Sequence, residues 1–283
     1  MRFLAKTITT SWVVIALLAS VSTAQAQESE WSVIKTAHID YDVGLAIGAF
    51  GVYEGETVVA TGPFGAAVYD VVGGNGRLDH RMNLRPLEGA DEVVNIFVDV
   101  HEDLLVLGID YGTERDPVIQ IYDRPGDPGD WTLIHTESIP EYLGYRPRLW
   151  GVHFDEGRLL LSLDTFLDDG SERVFGWISI RERDGNGAWP QSATLPEDPF
   201  ASMYADFRFG EYLSAHEGTL LATIPGYEAN PDSAQIYAYN MGGYALEKVF
   251  DTQSPENDLF GIDSDINDDF VALIHPGVGI YAM

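Results

Sequence analysis

Residues 209–244, FGEYLSAHEGTLLATIPGYEANPDSAQIYAYNMGGY, carry the pattern from which the fold is read. Phe209-Gly210 opens an apolar-polar run that ends at a tight Glu217-Gly218 turn. Thr219 to Thr223 follows as a second run, and a polar loop from Pro225 to Ser233 leads to a third, Ala234 to Tyr239. Gly242-Gly243 then turns the chain into a run beginning with Tyr244. Short β-branched and aromatic runs separated by Gly, Asn and acidic turns make antiparallel strands, here four in one sheet.

The pattern recurs. Turns at Glu54-Gly55, Glu102-Asp103, Glu156-Gly157, Glu217-Gly218 and Asn267-Asp268 precede apolar anchors at Val58, Leu105, Leu160, Leu221 and Val271, spaced 47, 55, 61 and 50 residues apart. The third run repeats a β-branched residue followed by Tyr at Val68-Tyr69, Ile121-Tyr122, Ile236-Tyr237 and Ile280-Tyr281, with Ile180-Arg181 in the remaining copy. The fourth run starts at Leu78, Trp131, Trp189 or Tyr244. The fifth copy ends after its third run, at Met283, and Trp31-Ser32-Val33-Ile34 reads like Trp131-Thr132-Leu133-Ile134. The expected fold is therefore all-β: a five-bladed β-propeller of four-stranded antiparallel blades, with the N-terminal strand closing the last blade.

Ahead of the repeats, Arg2 and Lys6, the apolar stretch Trp12 to Val21 and the small residues of Ala24-Gln25-Ala26 have the form of a secretory signal peptide over residues 1–26. That leaves residues 27–283 as a single propeller domain, expected to be a monomer without membrane insertion and to be secreted or periplasmic. The chain has no Cys, so its core must hold without disulfides. Its 16 basic and 45 acidic residues give a net charge of −29, and losing Arg2 and Lys6 with the leader lowers this to −31. Such a surface repels nucleic acid and anionic lipid.

Phe-Gly, an acidic or Gly turn, an apolar pair, a loop, an apolar-Tyr strand and a late Trp together resemble the FG-GAP repeats of integrin-type propellers. The resemblance spans nearly all of the chain after the leader, in degenerate copies. Ala60-Thr61-Gly62-Pro63 and Ala222-Thr223-Ile224-Pro225 are what remains of the Gly-Ala-Pro signature. The resemblance implies extracellular adhesion or ligand binding, with Ca²⁺ held in some relatives by a D-x-D-x-D-G loop. This chain departs from that pattern. Its nearest stretch, Asp263 to Asp269, lacks the Gly and better suits a strand with one wet face, and Asp40, Asp42 and Gly44 are a second fragment. Asp164, Asp168, Asp169 and Glu172 read as a solvated loop. No cofactor is expected and no residue is assigned to a metal.

Seven His residues show no metal-ligand spacing, and there is no Cys nucleophile, nucleophile elbow or phosphate loop. Connections from second to third strands share a face with those between blades, and these are the long ones. They place Tyr142, Tyr145, Arg146 and Arg148, with Arg115 nearby, and Phe200 and Tyr204, on one face as candidate binding residues for a protein or glycan. Two accounts stand for the Arg residues: meeting a partner's carboxylate, or pinning the loop to acids such as Glu141. Three functions follow: a non-enzymatic binding propeller, a carbohydrate-active enzyme using channel acids such as Asp99, Glu211, Asp263 and Asp265, or a structural envelope component.

Overall fold

The computed structural model describes residues 50–53, 57–62, 65–72, 77–87, 92–112, 114–124, 131–142, 145–166, 173–195, 209–210, 212–224, 233–240, 243–251, 264–266, 270–274 and 278–282. Within them the chain is all-β, built of successive antiparallel meanders. The first sheet holds β1 (Phe50–Tyr53), β2 (Thr57–Gly62), β3 (Gly65–Val72) and β4 (Arg77–Leu84). The second holds β5 (Asn95–His101), β6 (Leu104–Asp110), β7 (Val118–Asp123) and β8 (Thr132–Ser138). The third holds β9 (Pro147–Asp155), β10 (Arg158–Phe166), β11 (Arg173–Glu182) and β12 (Gln191–Leu195). The fourth holds β13 (Leu213–His216), β14 (Thr219–Ile224), β15 (Ser233–Asn240) and β16 (Gly243–Asp251). β17 (Ser264–Ile266), β18 (Phe270–Ile274) and β19 (Val278–Ala282) form a three-stranded fifth sheet. β5 packs on β1 and β9, and β13 packs on β9 and β17. First strands thus meet first strands along an inner line while fourth strands form outer edges, a propeller-like order.

The core lies between sheets. Leu105, Leu107 and Ile109 of β6 face the first sheet, meeting Val59, Val68 and Leu84. The intervening Val106 faces the third sheet, meeting Leu149, Val152 and Leu161. On β10 the alternation repeats: Leu159, Leu161 and Leu163 look back to the second sheet, whereas Leu160 looks forward to Phe209, Leu213 and Leu220. Two-sided burial of a second strand requires a continuous apolar run rather than alternation. Crowding between the second and third sheets shows at Gly108, where a Cβ would stand 2.6 Å from both Leu149 and Val152.

The Phe-Gly pair has a direct cause. Phe209 is buried between the third and fourth sheets. Gly210 takes φ +73° where a Cβ would lie 2.8 Å from Ile178, and its carbonyl accepts the Ser162 hydroxyl. At the following hairpins Glu102, Glu156 and Glu217 all adopt positive φ (53°, 44° and 45°). A side chain in that region costs roughly 1–2 kcal/mol, less for Asn. Glu217→Asn, which makes an Asn-Gly turn at this exposed site, is expected to stabilise the protein by up to about 1 kcal/mol in urea unfolding.

A regularity invisible in the periodicity appears at the outer edges. Every four-stranded sheet shifts register between its third and fourth strands at the same place: Val68/Tyr69, Ile121/Tyr122, Ile180/Arg181 and Ile236/Tyr237. The extra residue lies on the outer strand each time, at Arg81, Ile134, Ser192 and Glu247. A bulge increases twist and makes an edge a poorer template for another strand. The β-branched–aromatic pair recurs because it sits opposite this bulge.

Two expectations need correction. Val58 and Leu105 are not the counterparts of Leu160. His153 and Ser214, two residues before their closing pairs, face Leu160 and Leu221, and the same count from the hairpin ends gives Val59 and Val106. Asp164 belongs to β10, where it is buried, and not to a solvated loop. The expected leader, the expected closing strand Trp31 to Ile34, the Asp40 to Gly44 fragment and Asp168, Asp169 and Glu172 lie outside the described residues. Among the described residues no helix is long and apolar enough to cross a membrane.

Candidate functional site

The long-loop face is best defined above the junction of the second and third sheets. β8 ends beside Pro117, whose carbonyl accepts the Ile139 amide at 2.8 Å. Beyond it, Tyr142 and Tyr145 exchange two backbone hydrogen bonds of 2.9 and 3.0 Å, an isolated antiparallel bridge. The Tyr142 ring stacks on Trp177, with centroids 5.3 Å apart and planes at 29°. Both Tyr side chains pack on the cluster between the two sheets and remain only partly buried.

Arg148, at the start of β9, grips the end of β6. Its Nε donates to Asp110 Oδ1 and Oδ2 at 3.0 and 2.9 Å, and Nη2 donates to Oδ2 at 2.8 Å. The Leu149 amide adds a longer bond of 3.4 Å. Asp110 is wholly enclosed and the Arg148 side chain 16% exposed, so this fork replaces the water that the carboxylate gave up. Arg146 pairs with Asp116 at 3.3 Å, and Arg115 with Glu92 at 3.5 Å, while Arg115 also lies 4.9 Å above the Tyr111 ring. Arg146 and Arg115 keep 40% and 35% of their side-chain surface in solvent. The Arg residues therefore meet Asp110, Asp116 and Glu92 as well as facing solvent. Tyr142, Tyr145, Arg146 and Arg148 come together as one patch, and Phe200 and Tyr204 lie outside the described residues. Tyr111 is buried in the first core cluster. Sequence reading missed Asp110 and Trp177. An acid closing the apolar run Leu104 to Ile109 was the one local signal for Asp110.

The opposite, short-turn face carries polar ties between sheets. Asp155 accepts the Gly218 amide at 2.8 Å, Arg158 at 2.9 Å, and the Tyr244 hydroxyl. The Arg158 guanidinium lies 3.7 Å from the Tyr239 ring centroid and also meets Glu156 at 2.9 Å. Burial and the Asp155 carboxylate push the Tyr244 hydroxyl far above its usual range, against the opposing pull of Arg158. Burial disfavours the Arg158 cation, but Tyr244, Asp155 and Glu156 outweigh it and raise its pKa. Burial likewise pushes Tyr122 up to about 12, and its hydroxyl donates to Gln120 at 2.9 Å. Arg181, standing where other repeats have Tyr, reaches Glu137 of β8 at 2.6 Å and the Trp189 carbonyl at 3.2 Å. Arg124 contacts Thr57 of the first sheet at 3.3 Å and Asp103 at 3.6 Å. The Asp155–Gly218, Asp155–Tyr244, Arg181–Glu137 and Arg124–Thr57 contacts hold neighbouring sheets together.

Of the channel acids, Asp99 lies on an inner strand and accepts the amides of Val100 and Phe154 at 2.9 and 2.7 Å. Asp265 lies in β17, within Ser264–Ile266, and Ile266 is buried, so this part of the acidic stretch is strand. Glu211, Asp263 and Asn267 to Asp269 lie outside the described residues. Among the described residues no three His, Asp or Glu side chains converge to hold a metal.

Neither a known protein-family pattern nor a curated protein sequence matches the chain. Solved structures similar to it include Sqt1 of Saccharomyces cerevisiae, with TM-score 0.46 and 10% identity over 88% of this chain and 74% of that one. A protein from Lactobacillus plantarum gives 0.43 and 12% over 88% and 83%. The AfRom2 CNH domain gives 0.44 and 9% over 88% and 74%.

Proposed function

We propose that the chain is an exported, non-enzymatic five-bladed β-propeller with FG-GAP-like repeats, secreted or periplasmic, which binds a protein or glycan through its long-loop face. The observation that carries this reading is the prior ordering of Tyr142 and of residues 145–148. A backbone bridge, a stacked Trp177 and the Arg148–Asp110 fork hold the segment in shape, while Tyr142, Tyr145 and Arg146 keep exposed surface. Ordering a loop before contact removes part of the entropic cost of association. Partly exposed Tyr and Arg are the side chains that bury large area and make forked hydrogen bonds to a carboxylate. Five sheets among the described residues and the inward pairing of their first strands support the blade number, with Trp31 to Ile34 as the closing strand.

The test is the double variant Tyr145→Ala, Arg146→Ala on arrays of acidic glycans and acidic peptides. Binding should fall at least about tenfold, since two central side chains contribute 1 kcal/mol or more each. Melting temperature should fall by only a few degrees, because the Arg146–Asp116 pair is partly exposed and weak and Tyr145 is only partly buried on the cluster between the sheets. Parent protein that binds neither array, or unchanged binding by the variant, would remove this face as the site.

A further inference from the structure

The inner line of the second and third sheets holds a pair of titratable groups that the binding face does not use. Asp99 on β5 and His153 on β9 occupy matching register positions, opposite Val106 and Leu160 on their second strands. Asp99 Oδ2 accepts the Phe154 amide across the junction at 2.7 Å, and His153 Nδ1 stands 3.9 Å from the same oxygen. That gap is too long for a hydrogen bond but well within reach of a charge interaction. Solvent reaches 24% of the Asp99 side chain and 33% of His153, so protons can arrive.

We infer that Asp99 and His153 form a proton-operated latch between the second and third sheets, tightened as the pair takes up a shared proton and loosened as it gives that proton up. At alkaline pH the partly buried carboxylate faces a neutral imidazole and has two amide donors as its main support. One proton added to the pair gives an imidazolium facing the carboxylate, whose charge attraction through Nδ1–H and Oδ2 draws β9 onto β5. Among the described residues the titratable groups facing Asp99 are His153 and His101. His153 comes from β9, His101 from β5 itself, and β6 presents uncharged Val106 opposite it. The other face of β5, toward the first sheet, is Ile96, Val98 and Val100. Desolvation raises the Asp99 pKa, while His153, the two amides and His101 pull it back.

Both groups give the same sign. A carboxyl whose folded pKa is raised holds its proton longer in the folded state, so folding loses stability as pH rises through that interval. An imidazole raised by a neighbouring carboxylate contributes stability that is full below its unfolded pKa and is lost as pH rises through the folded one. The pair titrates as a unit, and the latch is therefore an acid-side stabiliser.

The experiment compares the intact protein with His153→Gln and Asp99→Asn. In proton NMR, with His153 assigned by its loss in His153→Gln, its titration midpoint should lie at least about one pH unit higher in the parent than in Asp99→Asn. The melting deficit of His153→Gln should be largest near about pH 5.5 and vanish by about pH 8.5, on either side of an ordinary imidazole midpoint. The second comparison decides even if Asp99→Asn does not fold. Equal midpoints in parent and Asp99→Asn, or a deficit that does not change with pH, would overturn the latch.

Discussion

Replacing Arg148 with Ala lowers the stability of the folded protein by about 3–5 kcal/mol, the cost of stranding a buried charge. The two partners are asymmetric. Asp110 has no solvent-exposed surface and receives three guanidinium contacts within 3.0 Å. Among the described residues, without Arg148 it keeps only the long Leu149 amide bond of 3.4 Å, which cannot hold a buried carboxylate. A protein of this length shifts its melting point by roughly 2–4 °C per kcal/mol, so a fall of about 10 °C is expected. Asp110→Leu combined with Arg148→Met should recover most of the loss, because an apolar pair of similar volume removes the desolvation penalty along with the attraction. Single variants that each cost less than about 1 kcal/mol would show the fork to be no more than a surface pair.

How much of this was legible depends on how local the cause is. The Glu217-Gly218 turn, the runs around it and the Ile236-Tyr237 position follow from residue type and spacing, and their strands lie where that reading placed them. Parity on the second strands was not legible. Leu104 to Ile109 is apolar on both faces, so a slip of one residue changes nothing in the pattern while moving Leu105 to the opposite junction. The ties between sheets were hidden for another reason. Asp110 and Arg148 lie 38 positions apart and Asp155 and Tyr244 lie 89 apart, separations that carry no periodic signal. Asp164 was misread because an acid near Asp168 and Asp169 looks like loop composition. In the fold it is the seventh residue of a buried strand, opposite Arg148 in register. At the candidate site, the Tyr and Arg residues of positions 142–148 were legible as a cluster. Their acids and their Trp177 support were not.

Trp177→Ala should lower stability by about 3–5 kcal/mol and, in addition, release the Tyr142–Tyr145 bridge. Trp177 is 2% exposed on β11, opposite Leu163, in the cluster shared by the second and third sheets. Its ring also carries Tyr142, so truncation both opens a cavity and removes the surface on which the loop rests. The stacking contributes only about 0.5–1.5 kcal/mol of the total, yet it is what ties the loop to the core. Leu105→Ala is the control. It empties a fully buried site at the junction of the first and second sheets for about 2–5 kcal/mol without touching the loop. Hydrogen exchange at the Tyr142 and Tyr145 amides, which bond only to each other's carbonyls in the bridge, separates the two effects. In Trp177→Ala their protection should fall by more than the global loss of stability explains, and in Leu105→Ala by no more than it explains. Equal behaviour of the two variants would mean that the loop keeps its shape without its aromatic support, and the prior ordering on which the binding proposal depends would lose its cause.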